Sequence, residues 1–173
     1  STLASAIHLQ IEDARTPVEL VERVHRHLTR FSRARKFATL FLGVLHTRTG
    51  ELQYVSAGHD PALLARADGS IEWLRATGRP VGIFPDSTWE EARAMIRPGD
   101  RLCVYTDGIT EAQNPIQEEF GSERLAAYFS RVAGLPVREA ASKLFGEVLL
   151  FADAAPQYDD QTLLLLARGE KQP

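Results

Sequence analysis

Arg101-Leu102-Cys103-Val104-Tyr105-Thr106-Asp107-Gly108-Ile109 is the stretch from which the chain is best read. An apolar run with β-branched and aromatic residues stops at Thr-Asp-Gly. It predicts a buried strand with a carboxylate at its tip, and Gly where the backbone turns sharply. Near the C-terminus, Tyr158-Asp159-Asp160-Gln161-Thr162 precedes Leu163-Leu164-Leu165-Leu166, so there the carboxylates come before a strand. Two such strands, antiparallel in one sheet, bring Asp107 and Asp159 to the same end. Clustered carboxylates repel one another unless a cation sits between them. The pair therefore points to a hard-metal site. The competing reading is that Asp-Gly and Asp-Asp are ordinary turn formers.

Composition bounds the rest. At 173 residues the chain is long enough for a substantial core, with roughly 70 % of its unfolded surface buried on folding. The net charge of −3 makes the whole molecule no trap for nucleic acid or an anionic membrane. A single cysteine excludes an internal disulfide and a cysteine zinc site, and Cys103, inside the strand run, reads as a core residue. No stretch approaches a membrane span and no signal peptide is visible. A soluble, cytoplasmic module with no membrane contact is the expectation. The chain starts at Ser1 without an initiator Met, which reads as a module cut from something longer.

Working outward, residues 1–10 read as the end of a helix, with Leu3, Ala6, Ile7 and Ile11 at helical spacing. Thr16-Pro17-Val18-Glu19 is a helix start, with a Thr cap, Pro first and Glu third. Val21, Val24, Leu28 and Phe31 share one face of that helix. Arg23, Arg26 and Arg30 lie opposite and lead into Arg33, Arg35 and Lys36. This basic run reads as a solvated face, because no aromatic residues interleave as a single-strand binder would need. Residues 37–45 are apolar on both parities and predict a strand covered on both faces. A hairpin loop over 46–50 leads to a strand over 51–57. After the turn Ala57-Gly58-His59-Asp60-Pro61, strands follow over 62–67 and 71–74, joined at Asp68-Gly69. Residues 77–84, with Gly78, Pro80 and Gly82, predict a surface loop. A strand over 89–96 and the turn Arg97-Pro98-Gly99-Asp100 bring the chain to the opening strand. Helices are expected from Phe120 to Val132, with Leu125, Tyr128 and Phe129 inward, and from Pro136 to Phe151, with Ala140, Leu144, Val148 and Phe151 on one face. The last strand is 161–167, followed by a polar tail over 169–173. This order of elements describes an α+β sandwich.

Several short motifs occur in a fixed order: Phe37-Ala38-Thr39-Leu40-Phe41, Ala57-Gly58-His59-Asp60-Pro61, Pro80-Val81-Gly82, Pro98-Gly99-Asp100, Tyr105-Thr106-Asp107-Gly108-Ile109-Thr110-Glu111-Ala112, Phe120-Gly121 and Asp159-Asp160-Gln161-Thr162. In that order they resemble the metal-dependent protein phosphatases of the protein phosphatase 2C-like (PPM) superfamily, in the bacterial branch typified by SpoIIE and RsbU. The resemblance runs from about Thr16 to Arg168. It implies two antiparallel sheets forming a β-sandwich flanked by helices. It also implies hydrolysis of phosphoserine or phosphothreonine with two Mn²⁺ or Mg²⁺ ions, which in such chemistry activate water and offset phosphoryl charge.

By the family motif, Asp107 and Asp159 are the carboxylate ligands and Asp160 stands beside them in a supporting role. Thr162 supports the loop, Gly58 and Gly108 permit the turns, and His59 either assists a water or phosphate or is a structural turn histidine. The implied partner is a phosphorylated protein, an anti-sigma-factor antagonist, in a stress-response or sporulation signalling pathway. The resemblance leaves room for a sensor or receiver domain upstream and for a homodimer. The family's Gly-Asp-x-x-Gly-x-Gly motif, whose Asp bridges both metals, does not occur in these residues. Its place is just before the helix ending near Gln10, and Glu12 and Asp13 lie on the wrong side of that helix to replace it. The expectation is one phosphatase-like domain over 1–173 lacking its N-terminal metal-binding part. It is then a fragment, a chain with a disordered upstream segment, or a degenerate member that binds a regulatory partner without turnover. Asp107 and Asp159 alone are expected to bind one metal weakly.

Overall fold

A computed structural model describes residues 7, 11, 14–31 and 37–169. The expectations for the helix over 1–10 (Ile7 apart), for Glu12, Asp13, Arg33, Arg35 and Lys36, for the Phe31 side chain and for the tail beyond 169 lie outside the described residues. The elements are α1 (Pro17–Phe31), β1 (Leu40–His46), β2 (Glu51–Ala57), β3 (Ala62–Ala65), β4 (Ile71–Leu74), β5 (Ala92–Met95), β6 (Arg101–Tyr105), α2 (Asp107–Thr110), α3 (Gly121–Arg131), α4 (Val137–Ala152) and β7 (Leu163–Ala167). They make an α+β fold with two antiparallel sheets, as the sequence predicts. The chain divides into two compact units, Ser1–Pro61 with Arg75–Met95, and Ala62–Leu74 with Ile96–Pro173.

In the first unit α1 begins where the capping pattern places it. The Glu19 N–H donates to Thr16 Oγ1 at 3.1 Å, and the Glu19 carboxylate accepts from the Arg15 N–H at 2.9 Å. That bond, with Arg23 one turn on, holds the Glu19 carboxyl below the usual carboxylate range. Leu20, Val21, Val24 and Leu28 are buried with Val55, Ala57, Val81 and Trp89. On the polar face Arg23 pairs with Glu19 at 2.6 Å, while Arg26 and Arg30 are exposed, as a solvated face requires. The sheet runs β1-β2-β5, with β1 and β2 paired from Leu40↔Ala57 to His46↔Glu51.

Two expectations need correcting here. The strand predicted over 37–45 was to be covered on both faces, yet β1 has no fully buried residue, and Val44 and Phe37 are exposed. It is an edge strand, and among the described residues Leu40 and Leu42 are the ones through which it packs on the α1 core. The segment 77–84 does not simply cross the surface either. Val81 is fully buried and exchanges backbone hydrogen bonds with Ala38 at 3.0 and 2.9 Å. The glycine and proline motifs explain why this segment packs so closely. Gly58 has φ +64°, and a Cβ there would lie 2.4 Å from Pro80.

In the second unit the sheet runs β4-β3-β6-β7, antiparallel throughout. Leu63, Cys103, Tyr105 and Ile109 from the sheet side pack against Leu125, Tyr128, Phe129, Leu144 and Val148 from α3 and α4. The inward residues expected on both helices are therefore confirmed, except that Phe151 is only partly buried. Asp100, buried at the mouth of β6, accepts from Arg66 at 2.6 Å and from the N–H groups of Arg97 and Ala67 at 2.9 and 3.1 Å. A buried carboxylate with three donors fixes the turn from which β6 starts.

Candidate functional site

The predicted convergence of Asp107 and Asp159 has a backbone basis. β6 and β7 pair antiparallel from Arg101↔Ala167 to Tyr105↔Leu163. Past the last pair the register continues through one backbone bond and the Thr106 side chain. The Thr106 N–H donates to the Thr162 carbonyl at 3.1 Å, and the Thr162 N–H donates to Thr106 Oγ1 at 2.9 Å. The Thr106 hydroxyl in turn donates to the Asp160 carbonyl at 2.8 Å. One threonine thus ties the end of β6 to the segment that enters β7. The same register sets Gly108 against Asp160. A Cβ on Gly108 would lie 2.6 Å from the Asp160 carbonyl oxygen and 3.2 Å from that of Asp159. Only a residue without a side chain lets the two acidic segments come this close.

The chain then turns into α2. The Ile109 N–H bonds the Thr106 carbonyl at 3.1 Å, and the Glu111 N–H bonds that of Asp107 at 2.7 Å. Asp107, first residue of that short helix, is exposed, while Gly108 and Ile109 behind it are buried. Both acidic residues use the same local device. Asp107 Oδ1 accepts the N–H of Gly108 at 2.9 Å, and Asp159 Oδ1 accepts the N–H of Asp160 at 2.6 Å. Each carboxylate is thereby oriented by the residue that follows it. The Asp159 carbonyl also accepts from the Gln157 side chain at 2.8 Å.

The predicted residues divide between the two units. Asp107, Gly108, Asp159, Asp160 and Thr162 are brought together in the second. Gly58 and His59 belong to the first, where His59 Nδ1 lies 3.4 Å from the Thr39 hydroxyl, a partner suited to a turn histidine. Asp160 enters the geometry through its main-chain carbonyl and Thr162 through its backbone. Sequence reasoning missed Thr106. It stood in the quoted motif without a role, although a hydroxyl at a strand end beside two acidic turns is a recognisable clamp. His25 was also missed. Buried in the first unit, its Nδ1 accepts the Gly82 N–H at 3.0 Å and its ring lies 5.0 Å from that of Trp89. A histidine at helical spacing in the apolar stripe, beside Val21, Val24 and Leu28, was the available signal.

The donor set suits a hard divalent ion in kind. Asp107, Asp159 and Asp160 offer carboxylate oxygens, exposed and held on a stapled backbone. In number they do not close a cage: among the described residues no three His, Cys, Asp or Glu side chains gather as one could. Beside them is a pocket of about 310 Å³ that Gly108 and Asp159 also line.

The sequence model of the Stage II sporulation protein E family, SpoIIE, matches residues 1–169. The chain belongs to the SpoIIE family. Among its relatives, Protein IcfG of Synechocystis sp. is 37% identical over 137 residues, which are 77% of this chain and 21% of IcfG. The phosphoserine phosphatase RsbP of Bacillus subtilis is 30% identical over 106 residues, 59% of this chain and 26% of RsbP. The SpoIIE-family chain thus spans only about a fifth to a quarter of these curated relatives. In fold it matches the SiaA-PP2C domain of Pseudomonas aeruginosa with a TM-score of 0.84 at 22% identity, over 96% of this chain and 67% of that one. The protein phosphatase 2C-like fold read from the ordered motifs is therefore the fold of this SpoIIE-family chain.

Proposed function

We propose that the chain is the phosphatase domain of a protein that removes phosphate from phosphoserine or phosphothreonine in a protein substrate, an anti-sigma-factor antagonist, with Mn²⁺ or Mg²⁺ held by Asp107 and Asp159. One observation carries this reading. The Thr106 clamp and the bare Gly108 press two acidic segments together at one end of the β6–β7 pair, where turn formers alone need no such approach. SpoIIE membership and the phosphoserine phosphatase activity in the name of RsbP supply the reaction class.

The roles follow from position. Asp107 and Asp159 bind, each carboxylate aimed by the N–H of the next residue. Asp160 contributes its carbonyl to the Thr106 clamp, and the Thr162 N–H, just before β7, closes it. When bound, such ions supply an activated water and offset the charge that builds on the phosphoryl oxygens. A cysteine route is not available to this site. Cys103 is fully buried and burial pushes its thiol far above the ordinary range, so no thiolate forms there.

The test is phosphopeptide hydrolysis by the full-length protein, with Mn²⁺ and again with excess chelator. Release of phosphate only in the presence of metal is expected. Tight binding of the phosphopeptide without release would replace the enzyme with a docking module, and metal-independent release would contradict the proposal.

A further inference from the structure

The loop that follows Pro80-Val81-Gly82 puts apolar side chains into solvent: Ile83 is 40% exposed and Phe84 44%. The loop is anchored at its base. The Gly82 N–H donates to Nδ1 of the buried His25 at 3.0 Å. The Ser87 N–H closes a turn on the Phe84 carbonyl at 3.1 Å, and Nε1 of the buried Trp89 donates to the Arg79 carbonyl at 2.8 Å. The apolar tip is therefore held in place for contact before any partner arrives. The Arg79 guanidinium lies 5.0 Å from the centre of the Phe84 ring, a pairing of the residue types that dominate protein interfaces. Beside the tip is an open recess of about 470 Å³, lined by Ala76, Gly78 and Thr88 together with Arg79 and Asp86. Arg79 and Asp86 are both exposed, and among the described residues neither side chain has an ion-pair partner.

We propose that this loop is a docking surface for a second copy of the chain, in a two-fold symmetric pair. The surface is its own complement. It carries an apolar tip and a recess, one cation and one carboxylate. In a two-fold pair the same patch lies on both sides and every contact occurs twice. The tip of one copy, Ile83 and Phe84, enters the recess of the other. Asp86 follows that tip by two residues, so it arrives beside the Arg79 that lines the recess it enters. Each copy thus gives one charge of each sign and receives one, and two ion pairs flank the apolar contact. An acidic partner would meet Asp86 and a basic one would meet Arg79, whereas a second copy satisfies both. The patch is small, so the association is weak and depends on concentration.

Sedimentation equilibrium of the full-length protein over a concentration series tests this. The mean mass should rise with concentration toward two copies. Arg79→Glu and Asp86→Arg each set like charges together at both symmetry-related contacts, and each should weaken self-association by about ten-fold. Phe84→Ala should weaken it too, by removing the apolar contact. An equimolar mixture of the Arg79→Glu and Asp86→Arg proteins should recover association, because in the mixed pair every contact again joins opposite charges. A circular-dichroism melt shows that each variant is folded. A monomer at every concentration overturns the proposal. So does an association that the folded variants leave unchanged, or a mixture that associates no better than its two components.

Discussion

Gly108→Ala sets two effects of known size against each other. Gly108 lies in the first turn of α2 and has no positive φ, so on propensity alone alanine would help by up to about 1 kcal/mol. The added Cβ would lie 2.6 Å from the Asp160 carbonyl oxygen and 3.0 Å from its carbon, where ordinary contact starts at 3.4 Å. The neighbour is backbone, so no rotamer change relieves the overlap. Overpacking costs about 1–3 kcal/mol, and a 2.6 Å approach to a backbone oxygen belongs in the upper part of that range, about 2–3 kcal/mol, so the clash wins and the net loss is about 1–2 kcal/mol. For a chain of this size that lowers Tm by about 2–8 °C. Because the segment pushed away carries Asp159 and Asp160, metal-dependent hydrolysis should fall further than stability does. Gly146→Ala is the matched control. It lies inside α4 with nothing within 4 Å of its Cβ position, so it should gain about 0.5–1 kcal/mol. Differential scanning calorimetry of both variants, with phosphate release measured on the same samples, separates the effects. A Gly108→Ala protein as stable and as active as the parent would refute the argument from close approach.

Three further perturbations report on other parts of the account. Thr106→Val removes the hydroxyl shared by the Thr162 N–H and the Asp160 carbonyl. It should cost about 1–2 kcal/mol in urea unfolding and weaken Mn²⁺ binding, while Thr106→Ser restores most of both. Asp100→Ala strips Arg66, Arg97 and Ala67 of a common acceptor. A loss of about 2–4 kcal/mol in urea unfolding is expected, reduced somewhat because Arg66 keeps Glu72. Burial lowers the affinity of His25 for a proton, opposed in part by its hydrogen bond to the Pro85 backbone. The folded pKa is thus below the unfolded value of 6.5, so the stabilisation is present above pH 6.5 and is lost as pH falls below it. Melts between pH 7.5 and 5 should show that decline, and His25→Gln, which keeps an acceptor for Gly82, should flatten it.

Much of this structure was legible in the sequence because local chemistry and final environment agree. β2 and β4 have the predicted ends, since their alternation and bounding turns point the same way. The helices α3 and α4 bury the expected residues apart from Phe151, because their apolar positions recur at helical spacing. The strand pairing that brings Asp107 and Asp159 to one end was inferred from carboxylates on opposite sides of two apolar runs, and the β6–β7 register supplies it. What failed was information that tertiary context alone holds. An apolar run does not say whether its strand will lie at a sheet edge, so β1 was expected to be covered on both sides and is not. Glycine and proline spacing marked 77–84 as a loop but could not show that Val81 would bridge to Ala38 and be buried. Thr106 went unassigned because its role depends on Asp160 and Thr162, far off in sequence and adjacent only across the sheet.

The central claim is that Asp107 and Asp159 together hold a divalent metal. Titration calorimetry of Mn²⁺ into the full-length protein, its Asp107→Asn variant and its Asp159→Asn variant tests it most directly, with a melt of each to show that the fold is intact. The account predicts that either substitution weakens binding at least about ten-fold in a folded protein. Unchanged Mn²⁺ affinity in both folded variants would contradict it and return Asp107 and Asp159 to the rank of turn residues.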